Sequence, residues 1–334
     1  MTTRKDVAEV AGVSVATVSN VFLNKRNVTA EKIDLVRDAA RKLKYVPNHV
    51  ASSLRSGRCG HIAVVVNEYT NPYHLEIVRG VEGYAAQNGY MVSILLMHGE
   101  LGKRLDFLRT RTFDAVINMT TIFFPTELVD VMRSRNTVLI GFGPDLGTVM
   151  RVRYTAAMDA LMKRAAELGH VKVGYVSTMD EWRFRTDDRG AAFLNFREKH
   201  GFSTDGGLAA FHGGDWRASE CVGYELTKGL LTRKPEITAI FAANDLAAIG
   251  VMRAAAEAGR RVPDNLSVIG CDDIEIGAYL KPSLTTMRID KDEYGGNIAR
   301  AVIGAIASGQ EGNAPVEAVA EPVYRESLAA CENA

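Results

Sequence analysis

Cysteine is scarce in this chain and shows no pairing pattern. The 334 residues include four cysteines, at positions 59, 221, 271 and 331, with no Cys-x-x-Cys pair among them. The sequence therefore predicts neither a disulfide framework nor a zinc site. It also lacks an apolar run of signal-peptide or membrane-helix length, and it opens with the polar segment Met1–Asp6. We expect a cytoplasmic protein, not associated with a membrane, that carries no metal and no cofactor.

Motifs of the common catalytic classes are missing as well. The glycine-rich stretch 141–147 fits neither the Gly-x-Gly-x-x-Gly spacing nor the Gly-Lys-Ser/Thr ending of a phosphate loop. There is no Gly-x-Ser-x-Gly or His-Glu-x-x-His motif, and the seven histidines are dispersed. The pairs Asp187-Asp188 and Asp272-Asp273 could serve in acid–base chemistry, but such pairs are common at the ends of strands and helices. We expect that the protein is not an enzyme.

Charge is balanced over the whole chain but not along it. The totals are 40 Lys and Arg against 40 Asp and Glu, a formal charge of +0. Residues 1–60 hold 11 basic and 5 acidic side chains, which gives +6 there and −6 over the rest. A basic N-terminal segment fits attraction to phosphates, although a solvated basic surface alone is common. The length predicts two or more folded units.

The stretch from Asp6 to Asn20 has the pattern of two short helices joined by a turn. Val7, Val10 and Ala11 are spaced as one buried helical face, and Thr3 with Asp6 predicts the N-cap of the first helix. Gly12 can adopt the positive φ that ends this helix. The segment therefore reads as the first half of a helix-turn-helix.

The second helix of the motif is predicted to begin after Ser14. Ser14 with Thr17 three residues on is well placed to cap it, and Val13 would pack the turn into the core. In this geometry the residues after Ser14 would face base edges in a DNA major groove. A glycine turn between two amphipathic helices also occurs in proteins that never bind DNA.

A third helix completes the predicted module. It opens at Thr29-Ala30-Glu31 and must end near Tyr45, because Pro47 follows. Its apolar stripe is formed by Ile33, Val36, Ala40 and Leu43. Three helices can thus share one small core.

Several runs in register now point to a known family. They are Asp6-Val7-Ala8, Ala11-Gly12-Val13-Ser14, Thr17-Val18-Ser19 and Tyr45-Val46-Pro47-Asn48. With these runs the chain resembles the lactose-repressor/galactose-repressor family of bacterial transcription factors, and matching patches continue to Arg325-Glu326-Ser327.

The resemblance implies a repressor whose affinity for a pseudo-palindromic DNA operator is controlled by a small molecule, and which acts as a homodimer. DNA contacts are expected from Thr3, Ser14, Val15, Ala16, Thr17, Ser19, Asn20, Tyr45, Asn48, Leu54 and Arg55. It also implies that residues 47–60 form a hinge helix and linker, with Leu54 wedged into the minor groove. The alternative is a plain linker whose leucine rests on the larger domain.

From His61 onward the sequence alternates short apolar runs with helical stretches. Strands are predicted at 62–66, 92–96, 115–118, 138–140, 173–176, 208–211, 239–241 and 266–269, and a helix at 76–87. This alternation predicts parallel sheets covered by helices.

The resemblance implies an α/β core of periplasmic-binding-protein type, with two doubly wound parallel-sheet subdomains and a ligand cleft between them. Beside this core stands the small all-α helix-turn-helix DNA-binding domain at 1–46. We expect the effector-binding and dimerisation domain at 61–330. Its first subdomain would span about 61–157 and 290–315, and its second about 158–289 and 316–330.

Effector-binding residues are expected at the carboxyl ends of the strands, where open α/β sheets hold ligands. Matches to the family's pocket positions imply Asn71, Tyr73, Arg189, Trp216, Asn244 and Asp272. Their amide, carboxylate, guanidinium and ring groups suit a polyol, so the effector is expected to be a sugar or a sugar derivative. The alternatives are local roles: Trp216 as a core residue, and Asn244 or Asp272 as a cap of the next helix or turn.

Departures from the family pattern bear on both the DNA operator and the small-molecule effector. Asn20 stands where the family usually has arginine beside phosphate or base. Arg153-Tyr154 stands where many members have Asp-Asn, Ala192 replaces a usual glycine and Cys271 replaces an aromatic residue, so the effector is left open. Four arginines, at 153, 183, 185 and 189, predict a cationic half of the cleft and hence an acidic or phosphorylated sugar. The alternative function is a sugar-binding module for transport or sensing that does not bind DNA.

Overall fold

The computed structural model describes residues 2–22, 28–45, 58–97, 101–120, 123–142, 146–205, 208–213, 217–310, 312 and 314–330. Of the predicted hinge helix and linker at 47–60, residues 47–57 lie outside the described residues. The predicted contact residues Asn48, Leu54, Arg55 and Trp216 also lie outside them.

The N-terminal module consists of α1 (Arg4–Ala11), α2 (Val15–Phe22) and α3 (Ala30–Lys42). Thr3 and Asp6 form a reciprocal capping box at the start of α1, as predicted. The hydrogen bonds from the Thr3 backbone N–H and hydroxyl hold the pKa of Asp6 below its ordinary value. Gly12 has φ +65°, so it ends α1 in the left-handed conformation that the sequence predicted.

The core of this module is small, and one predicted member does not belong to it. Val7, Ala11, Val18 and Val36 are buried together. Val10 was predicted to be buried but is 53% exposed, and Ala8 is buried instead. Ala8 and Val10 flank the line from Val7 to Ala11 on opposite sides of the helix, and the module core covers the Ala8 side.

The first sheet of the larger domain has six strands in the order β11-β5-β4-β3-β1-β2. Every pairing in it is parallel. Its strands are β1 (His61–Val66), β2 (Met91–Leu96), β3 (Ala115–Asn118), β4 (Val138–Gly141), β5 (Thr148–Arg153) and β11 (Val316–Val319).

The second sheet has four strands in the order β7-β6-β8-β9, again all parallel. They are β6 (Val173–Ser177), β7 (Ala209–Phe211), β8 (Ala239–Ala242) and β9 (Ser267–Ile269). A separate antiparallel pair joins β10 (Thr286–Arg288) to β12 (Glu321–Val323). Two parallel sheets are therefore confirmed.

Helices follow most strands, as expected for an α/β core. They are α4 (Pro72–Gln87), α5 (Leu101–Thr110), α6 (Thr126–Ser134), α7 (Thr155–Glu167), α8 (Glu181–Thr186), α9 (Asp188–Lys199), α10 (Ser219–Arg233), α11 (Asp245–Glu257), α12 (Glu275–Tyr279) and α13 (Lys291–Ser308). None of the helices in the described ranges is long and apolar enough to cross a membrane.

The chain passes between the two sheets more than once. It leaves the first sheet after β5 at Tyr154, and it comes back at Lys291, where α13 begins and packs on α4. After β11 it crosses again, so that Ser327 bonds to Val268 in β9. The edge strand β11 lies beside β5 in the first sheet, while the domain limits stay a prediction.

Glycines bring two helix pairs into backbone contact. A Cβ at Gly80 of α4 would lie 2.2 Å from the Asp292 carbonyl oxygen, and one at Gly295 of α13 would lie 2.1 Å from that of Ile77. In the second half, Gly223 of α10 and Gly250 of α11 face the partner backbone at 2.2 and 2.1 Å in the same way. Each pair can pack this closely only because these positions have no side chain.

Candidate functional site

The start of α2 presents a row of small side chains to solvent. Ser14, Val15 and Ala16 are exposed, and Val15 is 45% exposed although it is apolar. Thr17, Ser19 and Asn20 are half-buried beside them, while Val18 points into the core. The first turn of α2 and one side of the next therefore offer small groups to a partner.

Local hydrogen bonds fix this surface. The Thr17 backbone N–H donates to Ser14 Oγ at 3.1 Å, so Ser14 caps α2 as predicted. The Arg4 guanidinium donates to Ser19 Oγ at 3.3 Å and ties α1 to α2. Thr3 is exposed at the start of α1, whereas the Tyr45 ring packs against Phe22 with centroids 5.7 Å apart.

The predicted cleft residues Tyr73, Arg189 and Asp272 lie together in the interior. The Arg189 guanidinium sits 5.4 Å from the centre of the Tyr154 ring. Burial raises the pKa of Tyr73, and the nearby Asp272 carboxylate adds to this, while a hydrogen bond with Tyr154 opposes it. Tyr73 lies on α4 and Arg189 on α9, whereas Asp272 follows β9 and Tyr154 lies at the first crossing between the sheets.

Arg189 is the most constrained of these groups. Its Nε donates to Asp187 Oδ1 at 2.8 Å, its Nη2 to Asp187 Oδ2 at 3.1 Å and its Nη1 to the Ala243 carbonyl at 2.7 Å. Burial alone would raise the pKa of Asp187, but the Arg189 charge and N–H donors hold it below its ordinary value. Arg189 therefore carries a bidentate carboxylate partner inside the protein.

Asn71 and Asn244 occupy helix caps. Asn71 Oδ1 accepts the Tyr73 N–H at 3.0 Å at the start of α4, and Asn244 Oδ1 accepts the Ala247 N–H at 2.8 Å at the start of α11. The Asn244 amide also donates to Ser219 Oγ at 3.2 Å. Each oxygen is used locally, as in the alternative that the sequence left open for Asn244.

Asp272 is buried in an unusual backbone conformation. It is 6% exposed, with φ +121°, and Asp273 beside it has φ +48°, so two non-glycine residues adopt positive φ in succession. Burial raises the pKa of Asp272 well above its ordinary value, and the Asp245 carboxylate raises it further. The shift favours the protonated carboxyl, which can donate a hydrogen bond, more than in an exposed aspartate.

Lys291 holds this turn from the second crossing. Its Nζ donates to the Asp272 carbonyl at 2.7 Å and to the Asp273 carbonyl at 2.8 Å, and it lies 3.1 Å from Glu76 Oε2 on α4. Arg325 also donates to Asp273 Oδ1 at 2.6 Å. One buried ammonium group thus joins the turn of the second sheet to a helix of the first.

The cationic bias that the sequence suggested is neutralised. Each of the four arginines has a carboxylate within ion-pair distance: Arg153–Glu317 at 2.7 Å, Arg183–Asp180 at 3.6 Å, Arg185–Glu181 at 2.7 Å and Arg189–Asp187 at 2.8 Å. The hypothesis of an acidic or phosphorylated sugar therefore loses the charge on which it rested.

Sequence reasoning singled out Tyr154 only as a departure from the family pattern, and it missed Asp187 and Lys291 as members of this cluster. Tyr154 follows β5, a strand that the apolar pattern did not reveal because its residues alternate in burial. Asp187 was read as half of an ordinary acidic pair. Lys291 looked like any helix-start residue, and only the fold brings it to Asp272.

Within the described ranges no group of three or more His, Cys, Asp or Glu side chains is placed to hold a metal ion.

Comparison with known proteins agrees with this architecture. The family model described as bacterial regulatory proteins, lacI family, matches residues 3–48, and that of the periplasmic binding protein-like domain matches 162–328. The HTH-type transcriptional repressor PurR of Mannheimia succiniciproducens is 30% identical over 98% of this chain and 99% of its own. The ribose operon repressor of Halalkalibacterium halodurans is 30% identical over 100% of this chain and 99% of its own.

Among solved structures, the lac repressor dimer bound to operator and the anti-inducer ONPF superposes with a TM-score of 0.76 at 24% identity. The match covers 98% of this chain and 99% of that one. The likeness extends over both the N-terminal module and the larger domain.

Proposed function

This chain belongs to the lacI family of bacterial regulatory proteins, a family of DNA-binding transcriptional regulators, and from that premise we propose how its two sites work. The N-terminal module binds an operator and represses transcription. The interior cluster around Arg189 and Asp272 belongs to the effector site. The protein acts in the cytoplasm, and catalysis is not part of its function.

The exposed start of α2 carries the DNA-binding part of the proposal. Ser14, Val15 and Ala16 are accessible while the rest of the helix is anchored to the module core. Small apolar groups such as these can contact thymine methyl groups, and Ser and Thr hydroxyls can bond to bases or phosphates. Thr17, Ser19 and Asn20 flank them, and Thr3 adds a contact at the start of α1.

For the effector we propose a neutral polyol such as an uncharged sugar. The candidate cations already have carboxylate partners, and the raised pKa of Asp272 favours its neutral form. Phenol and carboxyl groups can exchange hydrogen bonds with hydroxyls without a charged partner. Calorimetry should show binding of a neutral sugar but not of its acid or phosphate form; the reverse preference would contradict the proposal.

We propose that the protein acts as a homodimer. Large apolar side chains are exposed on two elements of the larger domain: Ile276 and Tyr279 on α12 are 50% and 73% exposed, and Met91 at the start of the edge strand β2 is 62% exposed. A second copy would cover them, and two α2 helices would then meet two half-sites. The similar lac repressor structure is a dimer on its operator.

Selection of genomic fragments by the purified full chain tests this function, with and without a panel of sugars. Sequencing should show fragments that share one pseudo-palindromic site. Ala16→Glu should lower the affinity for that site about tenfold, because it places a negative charge beside phosphates. Leu35→Glu is the matched control, since it adds the same charge at a residue of α3 that is 46% exposed.

Two outcomes would contradict the proposal. Enrichment of no fragment under any condition would remove the regulator function. If sugars then bound to the same preparation, the chain would be a binding module for transport or sensing. Equal loss of affinity in Ala16→Glu and Leu35→Glu would show that the start of α2 has no special part in DNA binding.

A further inference from the structure

Residues 58–61 form the described segment by which the chain enters the first sheet after the N-terminal module. Arg58, Cys59 and Gly60 precede β1, which begins at His61. The covalent connection between the N-terminal module and the larger domain runs through this segment. Its contacts therefore fix the point at which that connection reaches the larger domain.

One buried carboxylate accepts hydrogen bonds from three backbone N–H groups of this segment. Asp114 Oδ1 accepts the Cys59 N–H at 2.9 Å, and Oδ2 accepts the Gly60 N–H at 2.6 Å and the His61 N–H at 3.3 Å. Asp114 is 6% exposed and precedes β3, the strand beside β1. Three N–H donors on a carboxylate form charge-assisted bonds, which are stronger than bonds between neutral groups.

Further contacts hold the same segment from two other elements. The Gly60 carbonyl accepts the Met91 N–H of β2 at 2.8 Å, and the Arg58 guanidinium donates to the Ile306 carbonyl near the end of α13. Gly60 has φ +68°, a conformation that favours glycine. The entry segment is therefore fixed to β3, β2 and α13 at once.

Helix α13 links this segment to the candidate effector site. Its first residue, Lys291, bonds to the Asp272 and Asp273 carbonyls, and Ile306 near its other end accepts from Arg58. One continuous helix from Lys291 to Ser308 therefore contacts both regions.

We propose that Asp114 is a positioning residue for DNA binding: by fixing the entry segment 58–61 it sets the geometry in which the larger domain presents the N-terminal module to its operator. The proposal rests on the proposed function above. A fixed attachment point keeps the effective concentration and orientation of the second module of a dimer close to those required by the operator. Loss of the anchor lowers specific binding and leaves contacts with random phosphates intact.

Two variants test the anchor independently. Asp114→Asn keeps the shape of the side chain but removes its charge and one of its two acceptor oxygens. Gly60→Ala leaves the carboxylate intact and strains the backbone of the segment through its positive φ. The added Cβ causes no clash of its own, because it would meet only the Gly89 carbonyl oxygen, at 3.6 Å. The second variant decides the question if the first fails to fold.

Each variant has a matched control. Thr137→Val removes a buried hydroxyl that donates to the Phe113 carbonyl at 3.0 Å, beside Asp114 but with no bond to the entry segment. Gly201→Ala introduces the same backbone strain at φ +75°, with nothing within 4 Å of the added Cβ, at the end of α9. Thermal unfolding of all four proteins reports their stability.

Fluorescence anisotropy with a fragment enriched by the parent, and with a scrambled duplex of equal length, gives the readout. Asp114→Asn and Gly60→Ala should bind the enriched fragment about tenfold more weakly and the scrambled duplex as the parent does, whereas both controls should match the parent. Equal specific affinity in the variants and their controls would overturn the anchor, and so would equal losses on both duplexes. A parent that enriches no fragment would overturn the proposed function itself.

Discussion

The start of α2 and the interior cluster around Arg189 differ in how their side chains are used. At α2 the small groups of Ser14, Val15 and Ala16 face solvent on a capped helix. In the interior, Arg189 is bound by Asp187 and Ala243, and Asn71 and Asn244 cap helices. A DNA partner can meet the first surface as it stands. An effector has to compete with internal partners at the second.

Under the proposed function, this difference favours the interior cluster as the place where the effector acts on the conformation. A ligand shifts a conformational equilibrium only by binding one state better than another. Under the proposed function, an effector would offer Arg189 and Asp187 partners other than each other. Ser14, Val15 and Ala16 already face solvent. The following changes test this contrast, in order of expected effect.

The largest effect is expected from Asp187→Ala. Arg189 would lose its carboxylate partner at a site where the two side chains are 14% and 26% exposed, so the loss of unfolding free energy should approach, without reaching, the about 3 to 5 kcal/mol of fully buried pairs. Urea denaturation followed by circular dichroism measures it. Glu181→Ala breaks the exposed pair with Arg185 on the neighbouring helix and should change stability little. Similar small losses of unfolding free energy in both variants would mean that the Arg189–Asp187 pair stabilises the fold no more than an exposed ion pair does.

A smaller effect is expected from Asp245→Asn and depends on pH. Burial raises the pKa of Asp245 from its ordinary value of 3.8 to about 6. Between those values the folded state keeps a proton that the unfolded state has released, so this group's contribution to stability falls as pH rises. The slope reaches about 1.4 kcal/mol per pH unit.

Asp245→Asn removes this titration. Its unfolding free energy relative to the parent should therefore increase from pH 4 to pH 6 and stay level above that range. Denaturant titrations at several pH values measure the difference. Curves that run parallel for variant and parent would show that this carboxyl does not titrate in the window.

The smallest effect is expected at the DNA surface, from Asn20→Arg. Because Asn20 is half-buried beside an exposed face, the added guanidinium can reach a phosphate without disturbing the module core. Affinity should increase a few-fold at low salt, and the salt slope should steepen by about 1. Asn20→Gln controls for side-chain length. An unchanged slope in Asn20→Arg would place this residue away from the phosphates.

The sequence predicts local structure well where one segment supplies all the information. The Thr3–Asp6 box, the positive φ of Gly12 and the Ser14 cap each depend on residues within three positions, and all are confirmed. The helix after β1 begins at Pro72, four residues earlier than predicted, because the Asn71 cap and the proline start it before the apolar pattern does.

Contacts between distant segments could not be predicted in the same way. The bond from Arg189 to Ala243 joins residues 54 positions apart, and that from Lys291 to Asp272 spans 19. Periodicity reports which face of an element is buried, not what covers it. Strands β5 and β11 were not predicted because neither is a continuous apolar run. Burial alternates along β5, and β11 is a half-buried edge strand.

The glycine contacts between α4 and α13, and between α10 and α11, have a mechanical consequence. With backbone against backbone at Gly80, Gly295, Gly223 and Gly250, each helix pair is closely packed, and close packing resists small displacements. Few internal degrees of freedom then remain within each half of the larger domain. We expect a change in shape to be taken up as bending of the short crossings near Tyr154, Asp290 and Ala320, with each half of the larger domain moving as a rigid body.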